Sequence, residues 1–133
     1  MTPEQIALSQ RLVACSAFRW MPGMLTAEGY RITVVRGGMA GVQDDEHYPK
    51  TWGLEPHDCR EPMDPFDWTP DLTDPATLGC ILALVREAWT DPTAHTEPTP
   101  MALGGGWRCA AGPTLFEAAS TDAEAMIIAL EAA

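Results

Sequence analysis

At 133 residues, with 46% hydrophobic side chains, the chain is long enough for one domain with a substantial core. Nineteen acidic residues against eight basic ones give a net charge of −11. That balance disfavours binding to a nucleic-acid backbone or to an anionic membrane, both of which need a basic footprint. It suits a basic partner, because complementary fields speed encounter, with solubility alone as the plainer account.

In chain order, Thr2-Pro3-Glu4-Gln5 carries a capping-box pattern with proline at the first helical position, predicting a helix to about Ser16. Its inner face is Leu8, Leu12 and Cys15, beside Ile6 and Val13. Neither a basic start nor an uninterrupted apolar run opens the chain, and no stretch approaches the roughly 20 apolar residues of a membrane span. A cytoplasmic protein is expected. Phe18 to Met21 reads as extended, Pro22-Gly23 as a turn, and Met24 to Thr26 as pairing back across it. Tyr30 to Arg36 alternates with β-branched residues and reads as a strand. Gly37-Gly38 then turns the chain towards a weaker return strand over Met39 to Gln43.

Residues 44–73 read as one long irregular loop. Ten of the nineteen acids fall between Asp44 and Asp74, opposed there by Lys50 and Arg60 alone. Prolines recur at 49, 56, 62, 65 and 70, while Tyr48, Trp52, Phe66 and Trp68 are interleaved. A disordered linker is normally poor in aromatics. Aromatics on a long loop anchor it to a surface, either its own domain's or a partner's.

Thr73 to Asp91 holds the clearest helix signal, and the core is expected around it. Asp74 is the N-cap and Pro75 takes the first helical position. Leu78, Ile81, Leu82, Val85 and Trp89 form the predicted buried face, widened by Cys80, Leu84 and Ala88, with Arg86 and Glu87 outward. Asp91-Pro92 ends the helix. Thr90 to Pro100 reads as loop, and Trp107 to Ala111 and Thr114 to Ala118 as two short strands about Gly112-Pro113. A second capping box, Thr121 to Glu124, starts a last helix with Ala123, Met126, Ile127 and Leu130 inward. The chain is thus expected to be a single α+β domain over 1–133, a small antiparallel sheet of two hairpins covered by about three helices.

Motifs for chemistry are weak. His47, His57 and Cys59 are legitimate metal-ligand types among acids, and a metal-dependent enzyme built on them is one alternative. Their spacing matches no zinc-finger pattern, and the histidine-x-glutamate of zinc deaminases is absent, since Asp58-Cys59 follows His57. Stoichiometric metal in untagged protein would be needed to revive it. A cysteine nucleophile at Cys59, paired with His47 or His95, conflicts with its acidic surroundings, which oppose thiolate formation. The four cysteines show no paired spacing and read as free thiols. Gly104-Gly105-Gly106 lacks the lysine of a phosphate loop. No catalytic residue, metal or cofactor is assigned.

The stretch Trp68-Thr69-Pro70-Asp71-Leu72-Thr73-Asp74-Pro75-Ala76-Thr77-Leu78-Gly79-Cys80, continuing through Leu84 to Trp89, resembles small acidic proteins encoded in phages and prophages. The opening Phe18-Arg19-Trp20-Met21-Pro22-Gly23-Met24, the Trp107 strand and the alanine-rich last helix share that likeness, which covers about half of the chain. No family activity or catalytic residue comes with it. The resemblance implies a phage accessory protein acting in the host cytoplasm and, by analogy, an anti-CRISPR or DNA-mimic inhibitor. The expected partner is a nucleic-acid-binding defence protein such as a CRISPR effector, with no direct contact to nucleic acid or membrane. Asp44, Asp45, Glu46, Glu55, Asp58, Glu61, Asp64 and Asp67 would imitate phosphates, and Trp52, Phe66 and Trp68 would be anchors. A self-associating phage assembly protein, pairing through the apolar face of the helix after Asp74, is the second alternative, and a homodimer is compatible with either reading.

Overall fold

The structure is a computed structural model that describes residues 1–36, 39–42, 51–53 and 68–133. The α+β class holds. Among the described residues, three α-helices, α1 (Pro3–Ala14), α2 (Pro75–Ala88) and α3 (Asp122–Glu131), accompany six short strands. The first antiparallel sheet has the order β1 (Ile32–Arg36), β2 (Met39–Val42), β3 (Thr51–Gly53), and the second has β4 (His95–Pro98), β5 (Trp107–Ala111), β6 (Thr114–Ala119). Both expected hairpins are present, and each gains a third strand from a stretch read as loop. β4 was hidden because HTEP carries a proline and no β-branched alternation. Met24 to Thr26 does not pair with Phe18 to Met21. Leu25 bridges Arg31 instead, and the Ile32 N–H donates to the Met24 carbonyl at 2.8 Å.

The helix starts follow their local chemistry. Thr2 and Gln5 complete both halves of the capping box of α1. At α3, Thr121 accepts from the Glu124 N–H, while the Glu124 carboxylate reaches one residue further back, to the Ser120 N–H at 2.7 Å. Asp74 caps α2 through the Thr77 N–H, with Pro75 at the first helical position.

The core is centred on α3 and not on α2. α3 packs against α1, α2, β4, β5 and β6. Ala123, Ala125, Met126, Ile127, Ala129 and Leu130 are all buried, so α3 is apolar nearly all round, as a helix enclosed on several sides must be. Its alanines let neighbours approach closely. α2 contributes Thr77, Ile81, Leu84 and Val85, and Leu78, Leu82 and Trp89 are half-buried at its margins. α3 thus packs against α2, while Leu78, Leu82 and Trp89 keep part of their surface exposed. The edges of the second sheet are also blunted, by Pro98 on β4 and by a bulge beside Glu117 on β6.

Ser9 and Thr77 each bury a hydroxyl group. Ser9 donates to the Pro70 carbonyl, and Thr77 accepts from the Leu25 N–H at 2.8 Å while donating to Asp74. Each is fully buried because its polar atom is satisfied.

α2 ends in a complete Schellman arrangement. The Asp91 N–H donates to the Arg86 carbonyl at 2.9 Å and the Thr90 N–H to that of Glu87 at 3.0 Å. The left-handed position belongs to Thr90, at φ 50°, where glycine is the usual occupant and a β-branched side chain is strained. Thr90→Gly is expected to raise stability by about 1 kcal/mol. A thermal melt with an unchanged or lower midpoint would count against strain at this position. Glycine is required at Gly106, where φ is +90° and an added Cβ would lie 2.5 Å from the Ala119 carbonyl oxygen.

Candidate interaction surface

Two described pieces belong to the acid-rich stretch expected to meet a partner, β3 within it and Trp68 to Leu72 at its close. β3 pairs with β2, and Trp52 lies opposite Gly41 in that ladder. Trp68 to Leu72 forms an extended strap along Leu25 to Ala27. The Ala27 N–H donates to Thr69 and the Asp71 N–H to Leu25, both at 2.8 Å. Thr26 bridges Pro70, and neither bond needs the nitrogen that proline lacks. The strap alternates as a strand does. Trp68, Pro70 and Leu72 are buried, while Thr69 and Asp71 are half-exposed.

This corrects the expected role of Trp68 as a partner-facing anchor. Its side chain is 4% exposed and belongs to the core. Its ring meets Trp20 edge-on at 6.4 Å between centroids and lies tilted against Tyr30 at 6.1 Å. Of the two roles open to a loop aromatic, Trp68 takes the one that pins the strap to its own domain. Asp44, Asp45, Glu46, His47, Glu55, His57, Asp58, Cys59, Glu61, Asp64, Phe66 and Asp67 lie outside the described residues, and Trp52 is placed by its backbone alone.

The aromatics that retain solvent-exposed surface beside the strap are Phe18, Trp20 and Tyr30, each half-buried. Phe18 and Trp20 meet edge-on at 5.5 Å. Sequence reasoning did not single them out as a site. The available signal was the spacing of Phe18 and Trp20, two residues apart in a stretch that reads as extended, where such neighbours fall on one side.

The arginines serve as clips between distant parts of the chain. Arg11 on α1 grips Glu131 at the end of α3, and Arg19 grips Glu87 near the end of α2. Arg31 meets Asp74 with both nitrogens at 2.8 and 3.0 Å, and also donates to the Gly23 carbonyl at 2.7 Å. Arg108 on β5 bonds Glu97 on β4 at 2.8 Å and lies 3.7 Å from Glu117 on β6. Arg86 donates to the Ala94 carbonyl. These guanidiniums are thus engaged with carboxylates or carbonyls of their own chain. The bidentate bond from Arg31, with the bonds from Thr77, holds the Asp74 carboxyl down at about 2. The Arg19 bond likewise holds Glu87 below the usual carboxylate range.

Burial pushes the thiols of Cys15, Cys80 and Cys109 up, away from the thiolate form that attacks carbonyls or binds metals. These three cysteines are free thiols. Among the described residues no group of three His, Cys, Asp or Glu side chains is placed to hold a metal ion. Among the same residues, no helix is long and apolar enough to cross a membrane.

No protein-family model, curated protein or solved structure matches this chain. The functional reading therefore rests on charge and geometry.

Proposed function

We propose that this is a non-enzymatic, phage-encoded inhibitor of the anti-CRISPR or DNA-mimic kind, which occupies a basic nucleic-acid-binding surface of a host defence protein such as a CRISPR effector. The observation that carries the reading is the distribution of charge. Residues 44–67 hold eight of the nineteen acids beside Lys50 and Arg60. Five of the remaining six arginines are engaged within the fold, so their charge is spent locally. Such a concentration of negative charge is what a phosphate-binding groove attracts. The inhibitor would act in the host cytoplasm. Its partner supplies the positive surface, and neither nucleic acid nor membrane is contacted directly.

The test is competition with target DNA for a purified, guide-loaded CRISPR effector across a salt series. The native chain is expected to displace DNA, less effectively as salt rises. The quadruple variant Asp44→Lys, Glu46→Lys, Asp58→Lys, Asp64→Lys is expected to lose at least tenfold in affinity and to show a flatter salt dependence. Binding and salt slope that survive the reversal would sink the phosphate-mimic reading.

A further inference from the structure

Two half-buried rings, Trp20 and Tyr30, flank buried Trp68, the first described residue after the acid-rich segment, and a third, half-buried Phe18, meets Trp20 edge-on. Their arrangement follows from local geometry. Phe18 and Trp20 lie two residues apart with their rings in edge-on contact, and Tyr30 lies four residues beyond the Thr26 that bridges Pro70 of the strap. We propose that these rings form a shelf that receives arginine side chains of the basic partner, so that this surface adds arginine selectivity to the charge attraction described above. The proposal rests on that reading of function.

Charge and chemistry together select the occupant. A guanidinium is planar, weakly hydrated and attracted to ring faces, so it stacks on aromatics better than a lysine ammonium does. The chain's net charge of −11 draws such a cation towards it. The two arginines nearest in sequence do not compete for the shelf. Arg19 is drawn to Glu87, and Arg31 to Asp74. A lipid surface is the poorer fit, since an anionic membrane repels a chain of net charge −11.

The test uses the intact chain with two labelled peptides, deca-arginine and deca-lysine, measured by fluorescence anisotropy at near-physiological salt. The expected result is binding of both, with deca-arginine about three- to tenfold tighter. Tyr30→Leu and Trp20→Leu should each bring that preference towards unity, while Trp20→Phe, which keeps a ring face, should retain it. Circular dichroism establishes which variants remain folded. If Trp20→Leu unfolds, the Tyr30→Leu and Trp20→Phe pair decides. Equal affinity for the two peptides, or a preference that persists in folded leucine variants, overturns the shelf and leaves the charge-based function standing. Failure of the native chain to bind either peptide overturns both.

Discussion

Trp68→Ala is expected to destabilise the fold by about 3–5 kcal/mol, the range for removing a large aromatic from a core. The indole is 4% exposed, and deletion would withdraw support from Trp20 and Tyr30 at once. It would also loosen the strap, whose next inward residues, Pro70 and Leu72, rely on the same alternation. Trp68→Phe fills part of the space and should cost roughly half as much. Urea unfolding monitored by far-ultraviolet circular dichroism measures both. The outcome separates two roles that the sequence left open. A residue that pins the loop changes the unfolding midpoint first, and partner binding only through the folded fraction. If Trp68→Ala kept native stability yet abolished partner binding, the core assignment would fail.

Asp74→Ala is expected to cost on the order of 2 kcal/mol. About 1 kcal/mol is the usual loss for an N-cap. The rest comes from the Arg31 pairing and from the Thr77 hydroxyl left with one bond fewer, reduced because Arg31 is 43% exposed. The pH dependence has a definite sign. Arg31 and Thr77 lower the carboxyl from an ordinary 3.8 to about 2 in the folded state. The folded chain thus holds this proton less readily than the unfolded chain. The contribution is complete above the unfolded value and is lost as pH falls from about 4 towards 2. Native protein should therefore lose stability more steeply across that window than Asp74→Asn does. Identical acid limbs for the two proteins would show that the Arg31 pairing does not perturb Asp74.

Much of the fold was legible where chemistry is local. Thr2 with Gln5, Asp74 with Pro75, and Thr121 with Glu124 mark helix starts because their partners lie within one turn. The β5–β6 hairpin was visible for the same reason. What escaped depends on partners far along the chain. Nothing near Ser9 or Thr77 announces a buried hydroxyl, since the Pro70 carbonyl and Leu25 N–H that satisfy them arrive from elsewhere. The alternation Trp68-Thr69-Pro70-Asp71-Leu72 was present, but proline disguised it as loop. α3 was undervalued because alanine reads as a helix former, and its use in close packing shows only when neighbours are placed. For the candidate surface, the acids were legible as composition. The shelf was not, because Trp20, Tyr30 and Trp68 meet only after the strap has docked.

The helix at the centre is made after every element that it joins. α1 precedes α3 by more than a hundred residues, and β4, β5, β6 and α2 all emerge from the ribosome earlier. Local helices and the β5–β6 hairpin can form as they appear, but their shared apolar surface has no cover until Asp122 to Glu131 is synthesised. Folding is then governed by long-range closure, which is slow compared with that of a helical bundle of similar size. During translation the nascent chain carries an open core whose last piece is still to be made.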